Sequence, residues 1–195
     1  MRTSLLHVSS DFSCTALCER AASSTNRCGA RHFVAIATMF LLIASSSAAQ
    51  TLSPPTGNVL LVVRGAIDTP NVGDEAHFDD VLFATLPQHG FETRTPWDDG
   101  TQRFEGVLLK DVLAAAGARS ALIDAIGKDD YRASLSDIDL ERYAVLLAFR
   151  QNGSDLTLRT LGPLRIMFPF DDAPEFYSQS YMAAAVWQLV AMEIK

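Results

Sequence analysis

The sequence predicts one domain of mixed strands and short helices, and three stretches carry that expectation. The apolar, β-branched runs Val59-Leu-Leu-Val-Val63 and Ala144-Val-Leu-Leu-Ala-Phe149 have the composition of buried strands. Leu108, Leu109, Val112, Leu113 and Ala116 recur at helical spacing just before Gly117, a residue that tolerates a left-handed cap.

Taken in order, residues 50–57 read as a short linker, because Pro55 and Gly57 resist both helix and sheet. Val59–Val63 is then a strand expected to be buried on both faces. Residues 78–86 repeat apolar groups at helical spacing and stop at Pro87, which predicts a short helix. Phe91 to Thr95 alternates as a strand does, and Pro96-Trp97-Asp98-Asp99-Gly100 supplies a turn. The amphipathic helix follows over residues 107–116.

Residues 120–126 fit a helical turn or a strand equally, since so short an apolar run does not fix its own period. Tyr131 to Leu135 alternates and predicts a strand, and Ser136 with Asp139 predicts a short helix reaching Tyr143. Residues 144–149 are the expected central strand, and Asn152-Gly153 marks a hairpin to a strand at residues 156–160. Gly162-Pro163 leads into a strand at residues 164–169, an acidic loop covers residues 171–180, and residues 187–194 read as a closing strand after helix-favouring alanines.

Composition narrows the function. Arg27, Arg31 and His32 precede the 12-residue apolar run Phe33 to Ala44, and Ser47-Ala48-Ala49 suits a signal peptidase. The run is too short to span a bilayer core of about 30 Å. Residues 1–49 are therefore expected to be a signal peptide with an N-terminal extension, residues 50–57 a linker and residues 58–195 the periplasmic domain, with no membrane span after processing. All three cysteines, Cys14, Cys18 and Cys28, precede the expected cut. The remainder then has no thiol for a disulfide, a metal or a nucleophile.

The first 49 residues also hold four arginines against two acids, leaving 12 basic and 21 acidic groups, a formal charge of −9, in the rest. Such a surface repels nucleic-acid phosphates and anionic lipid. A small anion or another periplasmic or membrane protein is the expected partner. No Ser-His-Asp elbow, phosphate-cradling glycine loop, dinucleotide fingerprint or calcium loop is present.

The order of these segments resembles the molybdopterin-binding domain of the sulfite-oxidase family of oxidoreductases. The resemblance rests on the Val-rich strand ending at Gly65 with Pro70 beyond it, Leu86-Pro87, and Phe104-Glu-Gly-Val-Leu-Leu-Lys-Asp-Val-Leu-Ala-Ala-Ala-Gly117. Asp130-Tyr131, Leu146-Leu-Ala148, Asn152-Gly153, Gly162-Pro-Leu-Arg165, Trp187 and Ile194 extend it over nearly all of the chain after the leader. It implies an α+β fold with a bent, barrel-like mixed sheet and flanking helices, and a molybdenum held by a pterin dithiolene and one cysteine sulfur.

The stretch matching the cysteine loop, Phe91-Glu-Thr-Arg-Thr-Pro-Trp-Asp98, has no cysteine. A soft thiolate is not replaced by Thr95 or Trp97 without changing the charge and potential of the metal. The separated Arg27 and Arg31 also lack the adjacent-arginine pattern of folded, cofactor-loaded export. The expectation is a chain that binds no cofactor, with molybdopterin left open by the resemblance.

If the resemblance holds, Arg94, Trp97 and Arg103 border the former cofactor mouth, where an arginine fork grips phosphate, sulfate or carboxylate; a hairpin with solvated arginines is the simpler alternative. His89 offers a ligand or acid-base group but has no partner at metal spacing. Arg165 matches a family pattern near the pterin pocket and equally suits a solvent-facing strand position. Phe176, Tyr177 and Tyr181 in the acidic loop are candidate anchors for a protein contact.

The leading expectation is an exported binding or accessory domain on this scaffold. The alternatives are an active periplasmic molybdopterin-dependent oxidoreductase and a structural partner of another exported protein.

Overall fold

The computed structural model describes residues 51–195. The expected leader, with Cys14, Cys18 and Cys28, lies outside the described residues. No described helix is long and apolar enough to cross a membrane.

Ten strands form two open sheets. The first holds β1 (Val59–Gly65), β2 (Ala76–Asp79), β5 (Ile123–Gly127), β6 (Arg132–Ser134) and β10 (Leu189–Ile194), in the order β2-β1-β10-β5-β6. The second runs β3 (Gln88–Arg94), β4 (Thr101–Leu108), β7 (Leu146–Gln151) and β8 (Ser154–Asp155), with β9 (Arg165–Met167) also paired to β7. Only β1 and β10 run parallel, in the register Val62↔Ala191 to Gly65↔Ile194. The mixed sheet expected from the sequence is present, but it is split in two and neither half closes into a barrel.

Burial explains which strands sit where. Leu146, Leu147 and Ala148 of β7 are all buried, as a strand flanked by β4 and β9 requires. β1 instead alternates: Leu61 and Val63 are fully buried while Leu60 and Val62 are only half-buried, so its apolar run has one core face.

The helix α2 (Leu109–Ala116) buries Leu109, Val112, Leu113 and Ala116, and Gly117 caps it at φ 66° with its N–H on the Ala114 and Leu113 carbonyls. The residues before it, Val107 and Leu108, end β4. Gly106 is fixed by close approach, because a Cβ there would collide with the Leu147 carbonyl of β7. One apolar core draws on both sheets and on α2, with Phe78, Phe104, Phe168 and Phe176 fully buried in it.

Several local expectations change. The predicted helix at residues 78–86 is shorter: Phe78 and Asp79 end β2, and α1 (Asp80–Thr85) starts on Asp79 as N-cap. The ambiguous segment at residues 120–126 becomes β5. No helix forms at residues 136–143, because the Asp139 carboxylate accepts from the amides of Glu141 and Arg142 and folds a turn.

The strand expected at residues 156–160 is a 3-10 turn, Leu158–Thr160, closed by reciprocal Thr157 and Thr160 side-chain bonds. The acidic loop carries a second 3-10 turn at Pro174–Tyr177 and runs into α3 (Gln179–Ala184). Phe176 points into the core and is not available to a partner, whereas Tyr177 is 44% exposed.

Asp79 also fastens the entry to the domain. Its carboxylate accepts from the amides of Thr56 and Gly57 at 2.7 Å and of Leu82 at 2.8 Å. These amides, Leu82 and Gly57 foremost, hold its pKa below the ordinary value of 3.8. A depressed folded pKa means the stabilisation is complete above the unfolded value, about 3.9, and is lost as pH falls through the folded one. Asp79→Ala is expected to lower the thermal midpoint by several degrees at pH 7, and the gap from the parent should narrow toward pH 2.5. A gap constant over that range in circular-dichroism melts contradicts the assignment.

Candidate functional site

The turn joining β3 to β4 is built around Thr95. Its hydroxyl donates to Asp98 Oδ2 at 2.8 Å and accepts from the amides of Trp97 at 3.2 Å and Asp98 at 3.0 Å. This local ring of bonds sets the direction of the Trp97 side chain. Gly100, at φ 72°, then turns the chain into β4.

Trp97 meets Trp187, two residues before the start of β10, edge to face, with centroids 5.5 Å apart at 87°. Beneath them lies Arg165 of β9, fully buried. Its guanidinium carbon is 5.3 Å from the Trp97 ring centroid, 5.5 Å from that of Phe104 and 5.6 Å from that of Trp187. Asp98 Oδ2 is the nearest carboxylate oxygen, 3.8 Å from Nη1, too far for a hydrogen bond. None of the three guanidinium nitrogens has a hydrogen-bond partner. Burial lowers the Arg165 pKa from its ordinary value, and Asp98 partly restores it.

On the outer side, Trp97 and Trp187 line a cleft of about 500 Å³ together with Asp129, Tyr131, Gln179 and Met182. The Tyr131 hydroxyl donates to the Ala183 carbonyl at 3.0 Å and braces one wall. The two indoles are thus common to the Arg165 cage and to the cleft. Flat aromatic walls with a carboxylate and an amide at the rim suit a planar, hydrogen-bonding heterocycle.

Of the residues singled out in the sequence, the fold brings together Trp97 and Arg165. Arg94 is exposed and bound to Asp171, through Nη2 at 2.9 Å and Nε at 3.0 Å. The Arg94 amide first, and then the hydrogen bond from its side chain, hold the Asp171 pKa below its ordinary value. Arg103 is exposed and pairs with Glu105 at 3.0 Å. His89, at the far end of β3, faces Asp111 at 3.6 Å. It shares a separate, shallower cleft with Arg103 and Arg150, whose charges are answered by Glu105 and Asp155.

Sequence reasoning misses Trp187 and Asp98 as site residues: Trp187 enters it only through the family resemblance and as the first residue of the expected closing strand, and Asp98 only as part of a turn.

Residues 84–171 match the family model described as the oxidoreductase molybdopterin binding domain. That span contains Thr95, Trp97, Asp98 and Arg165, and the opposite wall of the cleft, from Gln179 to Trp187, lies beyond it. Among solved structures, the chain is similar to the crystal structure of the sulfane dehydrogenase SoxCD from Paracoccus pantotrophus, at 16% identity and a TM-score of 0.49. That match covers 74% of this chain and 40% of the other, so this chain spans well under half of that protein's length. No curated protein sequence matches it. The fold is of the sulfite-oxidase type, with mixed sheets and few helices.

Molybdopterin is what the family binds, and the expectation of no cofactor finds no support in that match. The described residues divide it into two halves. The cleft and the unpartnered Arg165 suit an anionic pterin. The metal half is poorly matched, because the described residues contain no cysteine and no cluster of three or more His, Cys, Asp or Glu side chains able to hold a metal.

Thr95→Val removes the hydroxyl that orients Trp97. It is expected to shift tryptophan emission to longer wavelength and to lower the thermal midpoint by a few degrees. Unchanged emission in the folded variant contradicts the role given to that hydroxyl.

Proposed function

We propose that this chain is an exported, periplasmic binding or accessory domain, a reading supported by the leader expected at residues 1–49 and by the match of residues 84–171 to the oxidoreductase molybdopterin-binding domain model. It holds a pterin-class ligand in the Trp97–Trp187 cleft without a thiolate-bound molybdenum. The observation that carries this reading is the pairing of an indole-walled cleft with a stretch, residues 51–195, that holds no cysteine thiol.

Each feature has a physical counterpart in the ligand. Stacking on an indole face is worth about 0.5–1.5 kcal/mol beyond buried area, and two indoles at right angles fix the ring in one plane. Asp129 accepts from ring amino groups and Gln179 both donates and accepts, which gives the edge of the heterocycle its orientation. The molybdenum of the full cofactor would supply oxo transfer; here the chain's own side chains only bind, orient and shield.

The surface charge of −9 beyond the leader keeps anionic lipid and nucleic acid away, and leaves a protein with a basic patch as the larger partner. Tyr131 and Trp187 at the cleft and Tyr177 on the acidic segment are exposed, at 45%, 37% and 44%. They are the aromatic groups such a partner would meet.

Two measurements test the reading. Titrating the purified periplasmic protein with 6-hydroxymethylpterin is expected to quench tryptophan emission with a single saturable site, and Trp187→Ala should weaken that binding about tenfold or more. Elemental analysis of the same preparation should find molybdenum far below one atom per chain. Stoichiometric molybdenum, or no pterin response, overturns it.

A further inference from the structure

We propose that the Trp97–Trp187 cleft is also a cation site, which takes a trimethylammonium group carried by a small solute or by a phosphocholine headgroup, in competition with a pterin ring. Such a group occupies the cleft whether or not a pterin ever does.

A cation held by aromatic rings needs π surface from more than one direction, a negative charge nearby and no rival cation in the wall. Trp97 and Trp187 stand at 87° to each other with centroids 5.5 Å apart, so they make a corner rather than a slot. Tyr131 lines the same cleft, and the bond from its hydroxyl to the Ala183 carbonyl at 3.0 Å holds its ring in place as a third wall. Asp129 is the one charged side chain among the lining residues, and no lysine, arginine or histidine joins it. Among the described residues its carboxylate accepts only from the Tyr131 amide, at 3.3 Å, which leaves its charge to the occupant of the cleft.

Arg165 is the nearby cation that opposes this. It lies beneath the indoles and not in the cleft wall, with Asp98 Oδ2 3.8 Å from it. To a group on the far side of the rings these two opposite charges largely cancel, whereas Asp129 acts unshared. The quadrupole of a ring is negative on both faces, so a guanidinium over one face of an indole leaves the other attractive.

The rest of the lining selects among cations. A primary ammonium brings three N–H donors, and the wall gives only Asp129 and Gln179 as uncommitted side-chain acceptors. Met182, Ala185 and Val186 offer alkyl surface and a thioether instead. Methyl groups on nitrogen need no acceptor and match that surface. A cleft of about 500 Å³ admits the group with room for the chain that carries it.

The protein has two tryptophans and both line the cleft, so their emission reports on this site alone. Choline chloride, added to the intact purified protein at an ionic strength matched with sodium chloride, is expected to quench that emission with a single saturable site. The uncharged isostere 3,3-dimethylbutanol has the same shape and should bind about tenfold more weakly or worse, which separates charge from burial. Asp129→Asn keeps an acceptor oxygen for a pterin edge but not the charge. It should lose about threefold to tenfold toward choline while its affinity for 6-hydroxymethylpterin changes less than about threefold, and Trp187→Ala should weaken both. Choline should raise the apparent Kd for 6-hydroxymethylpterin as a competitor does. Sedimentation with phosphatidylcholine vesicles distinguishes the sources: retention that choline reverses assigns the group to a headgroup, and no retention assigns it to a solute.

Equal affinity for choline and its isostere overturns the proposal, and so does a choline response that survives both Asp129→Asn and Trp187→Ala. Choline and 6-hydroxymethylpterin bound together without competition put the cation elsewhere and overturn it too. A choline response with no pterin response refutes the pterin reading and leaves the cation site standing; a pterin response with no choline response does the reverse.

Discussion

A positive charge enclosed by three aromatic rings organises this end of the molecule. Arg165 enters on β9, Phe104 and Trp97 on the β3–β4 hairpin and Trp187 at the approach to β10, so three segments distant in sequence converge on one guanidinium. Each ring gains from the cation and each also shields it from water, which is why the cage is tight and its N–H groups go unanswered. Phe168, Phe170 and Phe176 continue the aromatic packing behind Trp97 and fasten the acidic segment to the core. The charged loop is thus a thin covering on an aromatic base, with Arg94 and Asp171 stitching it to the end of β3.

The sequence was most legible where one periodicity dominated. Leu109, Val112, Leu113 and Ala116 mark a helix face, and Gly117 ends it at positive φ, because helical spacing and backbone freedom are both local properties. The pattern fails where short polar side chains bond nearby amides: Asp139 bonds those of Glu141 and Arg142 and makes a turn, and Thr157 with Thr160 closes a 3-10 turn where the Asn152-Gly153 hairpin predicts a strand. β1 looked doubly buried because Val and Leu fill every position, yet its second face is only half covered.

The site was legible by half. Trp97 and Arg165 were candidates by position in a motif, but nothing local distinguishes an arginine in a cage from one on a surface. Arg94 and Arg103 carry the same charge and differ only in what folds against them: Asp171 from 77 residues away, and Glu105 two residues along the strand. Trp187 marks the resemblance and the start of a closing strand, and neither says that its ring faces a cleft. The missing thiol was the clearest signal of all, and within residues 51–195 it is a matter of counting.

The parallel pairing of β1 with β10 joins the first strand of the described region to its last, with β10 lying centrally in its sheet. Until Ile194 has left the ribosome, that sheet lacks its middle member and β1 has no neighbour but short β2. Contacts so far apart in sequence are slow to close. The tryptophan pair therefore comes together only once β10 has taken its place between β1 and β5.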